Sequence, residues 1–173
     1  VEIIHQHTNI VHTTKNGKDV ILTPFDPASA NAALTDRSRL SVQKILEFAD
    51  TVDLNRVRHV LERQIDYNTR ISNEGLKNRY GINAGANILE AAQAENAVTF
   101  KIRAQAAAAA GSDARMSGCT LPVVTNSGSG NQGLTASLPV IVFAEEKHLS
   151  HEQLLRGLLV SNLAAIHQKT RIG

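Results

Sequence analysis

The stretch that most limits how this chain can fold is "AQAAAAAG", with five alanines at Ala106–Ala110. Alanine is the strongest intrinsic helix former. A helix built from it has no bulk on any face, so a neighbouring backbone can come close. The rest of the composition agrees with tight helix packing. The chain is 42% hydrophobic but holds only four Phe, two Tyr and no Trp, so its core must be built from Ala, Leu, Ile and Val. With 173 residues and 20% charged side chains, it supports one substantial domain with a buried core, or one domain with a small appendage, rather than a disordered segment.

Other segments group around that run. Residues 1–24 read as a β hairpin or meander. In "NIVHTTKNGKDVILT", Asn16-Gly17 lies between alternating segments, and a two-residue turn there needs positive φ at both positions. Counting outward pairs Thr13 with Val20 and Val11 with Leu22, and "VEIIHQ" can add a third strand. After "TPFDP" the hydrophobic period changes to that of helices. "SVQKILEFAD" is a short amphipathic helix. The next begins at Asp53, buries Leu54, Val57, Leu61, Ile65 and Tyr67 or Asn68, and stops at Gly75. "NAGANILEAAQAENAVTFKIRAQAAAAAG" gives one or two helices ending at Gly111. "LTASLPVIVFAEE" is read as a buried helix in preference to a strand at "PVIVFA". A last helix opens with a Ser150/Gln153 capping box. The fold class is therefore α+β, mainly α: a helical domain over 25–173 with a small N-terminal antiparallel β ribbon.

A net charge of +2, evenly spread, does not point to nucleic acid or to an anionic membrane. The single cysteine excludes an internal disulfide framework and suits a reducing compartment. No signal peptide or long apolar span is visible, so the expected location is the cytoplasm. The chain starts at "VEIIHQH" without Met and stops at "HQKTRIG" straight after a helical pattern, so a central piece of a longer protein is expected.

The stretch carrying chemistry is "MSGCTLPVVTNSGSGNQG", from Met116 to Gly133, which holds Cys119. A glycine-rich run before a helix can turn backbone N–H groups towards a carboxylate or phosphate. "GSGNQG" lacks the Lys-Ser/Thr ending of a nucleotide P-loop and follows no clear strand, so neither a Walker nor a dinucleotide-binding reading holds. A plain flexible turn is the competing reading. Cys119 is either a small buried hydrophobe or a working thiol, as a soft-metal ligand or a nucleophile. The pairs His5/His7 and His148/His151 are weaker metal candidates, because a zinc site wants three converging ligands.

Two blocks, "MSGCTLPVVTNSGSGNQGLTASLPV" and "NRVRHVLERQIDYNTRISNEGLKNRYG", resemble the bacterial and archaeal L-cysteine desulfidase family, a relative of the α domain of iron–sulfur L-serine dehydratases. The resemblance covers almost the whole chain and is most specific from Ser117 to Gly133. It implies a helical domain, a [4Fe–4S] cluster on three cysteines in the full-length protein, and β-elimination of L-cysteine or L-serine to pyruvate and ammonia, with sulfide released from cysteine. It matches Cys119 to the first cluster ligand and Asn126, Ser127, Gly128, Ser129, Gly130, Asn131 and Gln132 to a loop read as the substrate-carboxylate site. The proton-abstracting base falls before Val1 and the other ligands after Gly173, so this piece alone is expected to be inactive and free of cluster. The implied partner is a small amino acid, with a homo-oligomer left open. The rivals are a non-catalytic, carboxylate-binding family member and an enzyme using Cys119 as a nucleophile.

Overall fold

A computed structural model describes residues 1–4, 9–23, 36 and 39–172, the last two of these by backbone only. It divides the chain into two units, Val1–Arg37 and Ser38–Gly173. The sequence-based boundary at residue 24 and the pair His5/His7 lie outside the described residues.

The first unit is a three-stranded antiparallel sheet in the order β1 (Glu2–Ile3), β2 (Ile10–Lys15), β3 (Lys18–Leu22). Asn16 and Gly17 take φ of 53° and 76°, the backbone of the expected tight turn. The expected register is corrected beyond it. Lys15 pairs Lys18 and Thr14 pairs Asp19, but Thr13 then pairs Ile21 and His12 pairs Leu22. An extra residue, Val20, is accommodated on β3. Such a bulge reverses the faces of everything after it, so a count that assumes strict alternation fails from that point.

The second unit holds six α-helices among the described residues: α1 (Val42–Thr51), α2 (Arg58–Lys77), α3 (Ala84–Ala94), α4 (Phe100–Met116), α5 (Gly130–Glu146) and α6 (His151–Ile172). The architecture is α+β, mainly α, and "PVIVFA" is helical within α5. Ser41, Thr99 and Ser129 cap α1, α4 and α5 through their hydroxyls, and Ser150 and Gln153 form the reciprocal box before α6. Asp53 caps a separate 3-10 turn, Leu54–Arg56, and not α2 itself.

The alanine run sits at the centre, since α4 packs against α2, α3 and α5. Ala106 and Ala110 are completely buried. Gly75 of α2 lies against the Ala110 carbonyl, and Gly85 of α3 against the Ala110 N–H, so closely that a Cβ on either would overlap backbone. Gly75 and Gly111 therefore correct the sequence reading. The sequence reads both as helix terminators, yet both sit inside helices, where they serve contact and not termination. The stop signal of α4 is Gly118 (φ 86°): its N–H reaches the Arg115 carbonyl at 3.3 Å and the Cys119 N–H reaches the Ala114 carbonyl at 3.0 Å, a Schellman motif. No helix among the described residues is long and apolar enough to cross a membrane.

Candidate functional site

The glycine-rich segment is held by one side chain. Asn68, fully buried on α2, accepts the Val124 N–H through Oδ1 at 2.9 Å. Its Nδ2 faces the carbonyls of Val124 (3.3 Å) and Gly133 (3.2 Å) and the Ser137 hydroxyl (2.9 Å). Both ends of the segment are thus fixed to one amide. Between them, Asn126 and Ser129 exchange two backbone hydrogen bonds of 3.0 Å, and Ser127 and Gly128 take φ of 48° and 80°. This is a two-residue hairpin turn with both central residues left-handed. It is neither an open phosphate-wrapping loop nor a slack linker.

Each of the seven expected loop residues can then be placed. Asn126 turns inward at 4% exposure: its Nδ2 donates to the backbone carbonyl (3.1 Å) and Oδ1 (2.9 Å) of Asn162 on α6, and its own Oδ1 accepts from Ser127 Oγ. Gln64 and Asn162 exchange amide hydrogen bonds of 3.0 and 2.7 Å behind it. Ser127 and Gly128 form the turn. Ser129 Oγ accepts the Gln132 N–H at 3.3 Å, and the Ser129 carbonyl accepts the Gly133 N–H at 3.0 Å. That leaves the N–H groups of Gly130 and Asn131 at the first turn of α5 with no acceptor among the described residues, where the helix dipole favours negative charge.

Arg115 completes this end of α5. Its side chain lies flat on Gly130, where any Cβ would collide with it, and Nη1 donates to Asn131 Oδ1 at 3.2 Å. Among the described residues Arg115 makes no ion pair with a carboxylate. A half-buried guanidinium beside two free N–H groups is chemically an anion receptor. Its signal was present in "DARMSG", but only the fold brings that arginine to the loop.

Cys119 leaves the same end of α4, one C-cap beyond Arg115. It is half-buried against the core and within hydrogen-bond reach of the Tyr80 hydroxyl, which donates to Glu74 Oε1 at 2.9 Å. Glu74 Oε1 also accepts from Asn78 Nδ2 at 2.8 Å. The hydrogen bond to Glu74, then that to Cys119, holds the Tyr80 phenol protonated and pushes it up from 10.0 to about 12. A raised folded-state value stabilises the fold fully below the unfolded value and is lost as pH climbs through the folded one. Between pH 10.0 and about 12, wild type should therefore lose stability relative to Tyr80→Phe. Absorbance titration should show a phenolate component near 12 that is missing in Tyr80→Phe and moves down in Glu74→Gln.

The remaining candidates do not converge. His148 and His151 line a groove of about 610 Å³ beside α2, and His151 Nε2 meets Glu62 Oε1 at 2.6 Å. Among the described residues no three His, Cys, Asp or Glu side chains gather as a metal site. Cys119 is the chain's single thiol and fills at most a third of a three-thiolate socket, so this chain by itself does not fit an iron–sulfur cluster.

The sequence profile of the family described as serine dehydratase alpha chain matches residues 6–173. A UPF0597 protein of Treponema denticola is 54% identical over 173 residues, covering 99% of this chain and 40% of that protein. One from Fusobacterium nucleatum is 50% identical over 175 residues (100% of this chain, 41% of that protein), and one from Salmonella dublin is 39% identical over 181 (99% and 41%). The chain thus spans about 40% of the length of these curated relatives. No solved structure matches.

Proposed function

Because the chain belongs to the serine dehydratase alpha-chain family, we propose that it forms the substrate-carboxylate wall, and supplies one iron–sulfur thiolate, of an enzyme that eliminates the β-substituent of L-cysteine or L-serine. The observation supporting this reading is the Arg115 guanidinium with no carboxylate partner among the described residues, set beside the free N–H groups of Gly130 and Asn131. The substrate carboxylate would take the two N–H groups and one edge of the guanidinium, while Asn131 Oδ1 keeps the other edge in place. Asn126, Ser127, Gly128, Ser129 and Gln132 then act as the scaffold that holds this end open.

Fixing the carboxylate orients the Cα–H and Cβ–S (or Cβ–O) bonds for elimination. The α-proton leaves to a base, the C–H electrons form the Cα=Cβ bond, and sulfide or hydroxide departs. Water then releases ammonia and leaves pyruvate, with no net oxidation. In a protein of the relatives' length, Cys119 would be one cluster ligand, with Tyr80 and Glu74 behind its sulfur.

The test uses a full-length relative reconstituted anaerobically with iron and sulfide. Pyruvate should form from L-cysteine or L-serine, and Cys119→Ser should lose both colour and product. Arg115→Gln should raise KM by about tenfold to a hundredfold, the worth of a hydrogen bond to a charged group, with a smaller change in kcat. Carboxylate binding that needs Arg115 but yields no pyruvate would identify a binding protein and refute the catalytic reading. Cys119→Ser with full colour and turnover would remove the thiolate assignment.

A further inference from the structure

A second concavity lies on the other side of the hairpin turn, between the first half of α2 and the second half of α6. It measures about 320 Å³, at the small end of ligand pockets. Val57, Leu163 and Ile166 are among its apolar walls, and Gln64 and Asn162 form part of a polar floor. Arg56 is the one formally charged side chain in the lining, which contains no Asp or Glu. Among the described residues Arg56 makes no ion pair.

We propose that this groove is a separate binding site for a small aliphatic carboxylate, its hydrocarbon tail along Val57, Leu163 and Ile166 and its carboxylate on Arg56. Three features select that class. The walls offer a tail apolar surface, which drives burial. The floor amides already satisfy one another, since Gln64 and Asn162 exchange both hydrogen bonds and Asn126 donates to Asn162, so they do not demand a polar ligand. The remaining unmatched charge is positive, so the head group is an anion. At about 320 Å³ the groove has room for a short aliphatic acid such as a five- or six-carbon chain. The groove also includes Asn126 and Ser127, so an occupant touches the residues that tie the turn to α6. It does not use Arg115, Gly130 or Asn131, the groups proposed to hold the substrate carboxylate, and shares with that site only Asn126 and Ser127 of its scaffold.

The experiment is an amide-resolved NMR titration of the chain with 4-methylpentanoate, with 4-methylpentan-1-ol and acetate as the matched neutral and tail-less probes. Saturable shifts confined to residues 56–64, 124–127 and 159–166 are expected, at least tenfold weaker in Arg56→Gln and unchanged in Arg115→Gln. Leu163→Trp should abolish them by filling the groove. Equal response to the alcohol, non-saturating shifts, or full affinity in Arg56→Gln would overturn the assignment. So would dimerisation with protein concentration that Leu163→Trp blocks, which would give the groove to a second copy of the chain.

Discussion

Asn68→Leu should lower the stability of the helical unit by about 2–4 kcal/mol, at about 1–2 kcal/mol for each part-buried backbone group left unpaired, the lower part of the range for buried groups. Two such groups follow directly: the Val124 N–H and the Val124 carbonyl both use Asn68. The Gly133 carbonyl is less exposed to the change, because Ser137 Oγ also donates to it at 2.8 Å. At about 2–4 °C per kcal/mol for a domain of this size, the thermal midpoint should fall by roughly 10 °C, and amide exchange between residues 124 and 133 should rise more than elsewhere. Asn68→Asp separates hydrogen bonding from packing. It keeps an acceptor for Val124 but places a buried charge against two carbonyls, so it should be worse than Leu at neutral pH and recover in acid, where the protonated acid regains a donor. If Asn68→Leu melts with wild type, the segment is held by something other than this amide.

That clamp also shows where sequence reading stopped. The helices were legible because their caps and periodicity are local: Ser150 with Gln153, the apolar stripe from Leu54 to Ile65, the alanine run itself. The turn at Asn16-Gly17 was legible for the same reason. Asn68 was only half legible. The apolar stripe along α2 brings Tyr67 or Asn68 to the buried face, and nothing in the spacing says that a polar side chain wins. It wins because the segment it meets carries unpaired backbone groups that an aromatic ring could not satisfy. Gln64, Ser72 and Asn126 are buried for related reasons: Gln64 and Asn126 bond Asn162, and Ser72 bonds the Ala107 carbonyl at 2.9 Å.

The site divides along the same line. Cys119 and the run from Asn126 to Gln132 could be marked from composition, but their separate duties could not. Asn126 belongs to the loop read as the carboxylate site, and nothing in its spacing marks that its side-chain amide bonds Asn162 on α6. Arg115 falls beyond Gly111, where the sequence reading ends the helix; α4 in fact runs on to Met116 and carries Arg115 to the first turn of α5. Tyr80, held by Glu74, is far from Cys119 in sequence and comes beside it because α2 and α4 pack together. The Val20 bulge is a different kind of miss, since pairing distances along a strand carry no local mark of an inserted residue.

Glycines supply the sharpest test, since the same substitution should be nearly neutral at one helical position and costly at another. Replacing glycine by alanine inside a helix ordinarily gains about 1 kcal/mol of propensity. At Gly157 of α6, the new Cβ would meet Val140 Cγ1 at 3.2 Å, a side-chain methyl that can shift by a rotamer adjustment. Gly157→Ala should therefore lie within about 1 kcal/mol of wild type. At Gly75 the new methyl would land on the Ala110 carbonyl, and Gly85 presses on the neighbouring N–H from α3. Relief would need α2 to move off α4, yet α4 is also packed against α3 and α5. Overpacking of this kind costs about 1–3 kcal/mol where side chains can yield, and more where backbone meets backbone. Gly75→Ala should lose about 3 kcal/mol or more despite the propensity gain, read as a lower urea midpoint at unchanged slope. Equal midpoints for the two variants would mean that the alanine run does not set the spacing of these helices, and that Gly75 is placed by chance and not by contact.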